Sequence, residues 1–116
     1  MGYETRLYVV EKYTVYGTVY GSVIARFDLC KVSEISEKMR GYKDTDVVIY
    51  DGEKEIINDC YGEALKEIPL NDAISIIEEV ATKDGFNYRR YAPCLGLLKG
   101  FEPDKWDDIV VLHYGY

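Results

Sequence analysis

Apolar and polar positions alternate through the early part of the chain. From Met1 to Tyr13, Leu7 and Val9 share one parity and Arg6 and Lys12 the other, a period of two that predicts a strand. Ser22 to Val32 repeats the pattern. Val23, Ala25, Phe27 and Leu29 are expected on one side, with Arg26 and Asp28 on the other. Between them lies a tandem tetrapeptide, Thr14-Val15-Tyr16-Gly17 followed by Thr18-Val19-Tyr20-Gly21. Two strands joined by this Gly-punctuated stretch read as a hairpin.

Helical and strand signals mix further on. Ser33 is a cap for a short helix through Arg40, with Gly41 beyond its end. Val47 to Tyr50 and Ile56-Ile57 read as paired strands turning at Asp51-Gly52. Ala64 to Leu70 reads as another short strand, ending at Pro69. Asn71 caps a helix to Lys83 whose stripe is Ala73, Ile76, Ile77, Val80 and Ala81. Pro93 suits the first turn of a second helix, with Cys94, Leu97, Leu98 and Phe101 at helical spacing. Ile109 to Leu112 is apolar on both parities, as in a strand covered on both faces. The expectation is an α+β fold: a mostly antiparallel sheet of five to six strands carrying two to three helices.

At 116 residues the chain is one domain's worth of sequence, with 47% hydrophobic and 30% charged residues. No stretch has the length of a membrane helix, and the N-terminus has no apolar signal-peptide core. The formal net charge is -7. Residues 1–50 are neutral, with seven bases and seven acids, while residues 51–116 hold seven bases and fourteen acids. Such a balance argues against direct binding of DNA or RNA, which draws on a positive field. Cys30, Cys60 and Cys94 are odd in number and form no CxxC, which suits free thiols in a reducing cytoplasm. With His113 the sole histidine, neither a metal site nor a cofactor is expected.

Tyrosine is the unusual component, with twelve residues against three Phe and one Trp. It combines a rigid apolar ring with a polar tip, so recognition surfaces favour it; strands favour it too. Tyr8 and Tyr50 read as ordinary strand residues, whereas Tyr16 and Tyr20, each followed by Gly, read as a candidate binding loop. Tyr88-Arg89-Arg90-Tyr91 is a second candidate, lying between the two late helices. Paired guanidiniums flanked by rings suit a phosphate and a stacked base, or an acidic protein; pairing with Glu78, Glu79 and Asp84 is the plainer alternative. Asp104, Asp107 and Asp108 form a third, attractive to a basic partner, with helix-start chemistry as the alternative. Cys94 and His113 both fall on apolar faces, and no catalytic motif occurs. The chain is therefore expected not to be an enzyme.

The opening Met1-Gly2-Tyr3-Glu4-Thr5-Arg6-Leu7-Tyr8, the segment Asp59-Cys60-Tyr61-Gly62 and the close Val111-Leu112-His113-Tyr114-Gly115-Tyr116 resemble small uncharacterised bacteriophage and prophage accessory proteins. The resemblance carries no active site. It implies a protein of the host cytoplasm that binds and inhibits a host or defence-system component. A protein that sequesters an anionic nucleotide signal through the Tyr/Arg cluster is the second expectation. A virion or assembly protein, with tyrosines at contacts between copies of the chain, is the third.

Overall fold

A computed structural model describes residues 5–28, 33–58, 62–83, 85–101 and 108–115. Its elements run β1 (Thr5–Val15), β2 (Thr18–Asp28), α1 (Ser33–Met39), β3 (Val48–Asp51), β4 (Lys54–Ile56), β5 (Lys66–Pro69), α2 (Leu70–Lys83), α3 (Gly85–Gly100) and β6 (Ile109–Gly115). The strands form one sheet in the order β4-β3-β2-β1-β6-β5. All its pairings are antiparallel except β2 with β3. The fold is α+β, as the alternation of patterns predicts. No helix among the described residues is long and apolar enough to cross a membrane.

The sheet has an apolar cluster on each side. On the helix face, Leu7, Val9, Ile68, Ile109 and Val111 pack with residues of all three helices, including Ile35, Met39, Ile77, Val80 and Leu98. On the opposite face, Tyr8, Val10, Ile49, Val110, Leu112 and Tyr114 are buried with Val47, Ile56 and Leu65. β6 contributes to both clusters, so its uninterrupted apolar run has a plain cause. The outer edge of β5 is partnered by the segment before β3. There the Glu67 amide donates to the Lys43 carbonyl at 3.0 Å and the Thr45 amide to the Leu65 carbonyl at 2.8 Å. Such cover protects an edge from unwanted pairing.

Three sequence expectations need correction. The first concerns parity in β2. Val9 opposes Ala25 but Val10 opposes Val23, so Ile24 is an extra residue with no counterpart on β1. This bulge puts Ala25 and Phe27 on the helix face and Val23 on the other, whereas unbroken alternation would align all three. The second is the β3–β4 turn, which lies at Gly52-Glu53, since Asp51 pairs with Lys54. Gly52 has φ +67° and Glu53 lacks a positive φ, the pattern of a type II′ turn with Gly leading.

The third concerns α3, which begins at Gly85 and carries Pro93 in its interior. Pro93 supplies no N–H for the Arg89 carbonyl, and tertiary burial maintains the helix across this defect. Its buried stripe is Tyr91, Cys94, Leu95 and Leu98, with Leu97 and Phe101 only partly buried beside it. The stripe expected for α2 is correct: Ala73, Ile76, Ile77, Val80 and Ala81 are all buried.

Candidate binding surface

The two copies of the tetrapeptide do different work. Tyr16-Gly17 of the first copy forms the two-residue β1–β2 turn, with φ +49° and +81°. Positive φ at both positions is the type I′ pattern, whose twist matches that of the flanking strands. Gly17 fits that conformation freely, but Tyr16 is a bulky residue where Asn or Gly is usual. Its side chain is fully exposed, so no packing compensates the backbone strain.

Tyr20-Gly21 of the second copy lies within β2. A Cβ on Gly21 would sit 2.8 Å from Val47 Cγ1 and 2.9 Å from Ile49 Cγ2, so only glycine admits β3 this closely. Tyr20 thus belongs to a strand rather than to the loop expected from sequence. It opposes Tyr13, and the two rings stack with centroids 5.7 Å apart and planes 24° from parallel. Tyr20 also lies opposite Val48 of β3, which places Tyr50 on the same sheet face two residues on.

Tyr13, Tyr20 and Tyr50 therefore share the helix face, but at positions outside the helix-face cluster. Tyr13 and Tyr50 are each 47% exposed, and Tyr20 is half-buried. The Tyr50 hydroxyl donates to Glu55 Oε2 at 3.0 Å. That hydrogen bond and the Glu55 charge raise the Tyr50 pKa above its ordinary value; small further contributions come from Tyr20 and Tyr13. Tyr13 is not among the candidates the sequence offers, and Tyr50 reads there as an ordinary strand residue. The available signal was the register: a turn at Tyr16-Gly17 places Tyr13 directly across from Tyr20.

Charge is divided between the faces. Every base of β1 to β4, namely Arg6, Lys12, Arg26 and Lys54, has a register position on the opposite face. Three of them are engaged there. Arg26 Nη1 donates to Asp51 Oδ2 at 2.7 Å, and the Tyr8 hydroxyl donates to the same oxygen at 3.0 Å. Arg6 pairs with Asp28 at 3.6 Å and lies 4.8 Å from the Tyr114 ring centroid. Lys12 donates to the buried Glu67 carboxylate at 3.3 Å, which also accepts from Thr45 Oγ1 at 2.8 Å. On the tyrosine side these strands present only acids, Glu11 and Glu55, both exposed.

The other expected site residues are not gathered there. Tyr88, Arg89 and Arg90 fall in the early turns of α3 rather than in a connecting loop, and their side chains lie outside the described residues. Tyr91 is 2% exposed and belongs to the helix-face core, which removes it from any open clamp. Asp104 and Asp107 lie outside the described residues. Asp108 is half-buried, and its carbonyl accepts from the Lys12 amide at 2.8 Å.

Cys94 carries a free thiol whose pKa burial pushes up to about 12, leaving negligible thiolate at neutral pH. His113 is buried, with Nε2 3.3 Å from Ser36 Oγ. Among the described residues, no three of His, Cys, Asp and Glu gather closely enough to hold a metal ion. An open groove between α2 and α3, of about 400 Å³, is lined by Glu78, Thr82, Ala92, Leu95, Gly96 and Lys99, and the Lys99–Glu78 ion pair lies at this groove. No family model, curated protein or solved structure matches the chain.

Proposed function

We propose that this chain is a non-catalytic binding protein that engages a partner protein through Tyr13, Tyr20 and Tyr50, with Tyr16 at the hairpin tip. One observation carries the reading: three tyrosines side by side on the part of the sheet's helix face that lies outside the helix-face cluster. Tyrosine loses little rotamer entropy on binding and gives large contact area, so such groups serve as interface anchors. A strained, fully exposed tyrosine at the adjoining turn supports the same reading. The resemblance to phage accessory proteins makes a host or defence-system component the first class of partner to test. The free Cys94 thiol supports a reducing, cytoplasmic setting.

The test is affinity capture from bacterial lysate with the wild-type chain and with a Tyr13→Ser/Tyr20→Ser/Tyr50→Ser variant shown to be folded. A stoichiometric protein retained by the wild type and lost by the variant supports the reading. A nucleotide retained in place of a protein, or equal retention by both chains, overturns it.

A further inference from the structure

We infer that the tyrosine face takes a basic segment of its partner, an extended stretch of protein presenting arginine or lysine to the Tyr13, Tyr20 and Tyr50 rings. The inference rests on the binding reading above and adds to it the chemistry of the occupant. Its ground is the segregation of charge between the two faces of β1 to β4. The strand pairing sends Arg6, Lys12, Arg26 and Lys54 to the opposite face, where carboxylates or the Tyr114 ring engage the first three. The tyrosine face of β1 to β4 keeps Glu11 on β1 and Glu55 on β4, one towards each side of the aromatic group, and no cation of these four strands to oppose an incoming one; Lys66, on the same face of the distant β5, is held by Asp44.

A guanidinium or ammonium is the group this arrangement suits. The negative face of a phenol ring attracts a cation directly, and arginine also stacks flat on it. Tyr50 is electron-rich for its type, because its hydroxyl is a donor to the Glu55 carboxylate. Two exposed carboxylates flanking the rings supply longer-range attraction, and the -7 net charge of the chain adds steering. An acidic partner would meet Glu11 and Glu55 with no compensating charge on β1 to β4. The same chain already uses the contact once, in Arg6 against Tyr114.

The experiment is selection from a library of random linear peptides on the immobilised wild-type chain, counter-selected on the folded Tyr13→Ser/Tyr20→Ser/Tyr50→Ser variant. Selected peptides are then resynthesised with arginine replaced by citrulline, which keeps shape and removes charge. Enrichment of Arg and Lys over Asp and Glu is expected. A loss of on the order of tenfold is expected on citrulline substitution, and a smaller loss with Glu11→Gln/Glu55→Gln. Affinity should also fall as salt rises. Peptides that need the three tyrosines but are acidic or uncharged would overturn this inference while leaving the binding reading in place. Failure to select any peptide that needs the tyrosines would overturn both, as would self-association of the chain through this face.

Discussion

Tyr13 and Tyr20 face each other across the β1–β2 hairpin with their rings 5.7 Å apart and nearly parallel. Direct cross-strand aromatic pairs stabilise a sheet beyond their area burial. The structural role of the pair is thus separable from the binding role proposed for it. A double-mutant cycle of Tyr13→Ala and Tyr20→Ala, read by urea denaturation, is expected to give a coupling of about 0.5–1 kcal/mol. A coupling of zero would mean the rings do not touch in solution.

The glycines of the tandem repeat are expected to fail for opposite reasons. Gly17→Ala meets no neighbour within 4 Å but must hold a positive φ, at a cost of about 1–2 kcal/mol. Gly21→Ala has no positive φ but drives its methyl into Val47 and Ile49, at about 1–3 kcal/mol. Truncation to Val47→Ala should soften the second change and leave the first untouched. Denaturation midpoints of the singles and doubles check this; equal coupling of both glycines to Val47 would contradict it.

Tyr16 sits where asparagine is the better residue. Tyr16→Asn is expected to stabilise the fold by about 0.5–1 kcal/mol, since Asn tolerates the left-handed conformation. Thermal denaturation checks the sign. A destabilised Tyr16→Asn would show that the tyrosine makes a compensating contact.

Alkaline pH should weaken the fold in part through Tyr8. Burial, most of all, raises its pKa above the reference value of 10.0; hydrogen bonding to Asp51 also raises it, and Arg6 acts in the other sense. The folded state thus holds the phenol proton more tightly than the unfolded state. That contribution is complete below pH 10 and is lost as pH rises through the folded-state value. Stability should fall as pH rises from 10.0 towards that folded-state value, and less steeply in Tyr8→Phe. An unchanged slope in Tyr8→Phe would remove Tyr8 from the account.

Cys94 is expected to stay unmodified when the native chain is treated with an alkylating reagent, and to react once the chain unfolds. Peptide mass spectrometry after timed labelling reads this directly. Labelling at the rate of an exposed thiol would contradict its place among Tyr91, Leu95 and Leu98.

The α2 stripe and the doubly buried β6 were legible because each rests on a periodicity that no neighbouring element disturbs. The hairpin itself was legible too, but not its register, because Thr14 to Gly21 all reads as connection while the pairing runs on to Val15 and Thr18. The faces of β2 were not. A single inserted residue, Ile24, reverses the parity of everything before it, and no local composition marks the bulge. The extent of α3 was hidden by Pro93, a residue that locally argues for a helix start and is overridden by burial around it. Tyr50 joined the candidate surface only through the parallel pairing of β2 with β3, a contact between segments distant in sequence. That pairing depends on the missing side chain of Gly21, and the local pattern of the tandem repeat reads as a loop there.

The claim that the open tyrosine face is the binding surface is tested most directly by comparing two variants on one captured partner. One is Tyr13→Ser/Tyr20→Ser/Tyr50→Ser; the other is Arg89→Lys/Arg90→Lys, which alters the alternative cluster. Both are first matched to the wild type by circular dichroism. Titration of the purified partner is expected to show a loss of at least about tenfold for the tyrosine variant, because aromatic anchors dominate such interfaces, and wild-type affinity for the arginine variant. Wild-type affinity in the tyrosine variant, with the loss appearing instead at Arg89 and Arg90, would contradict the account.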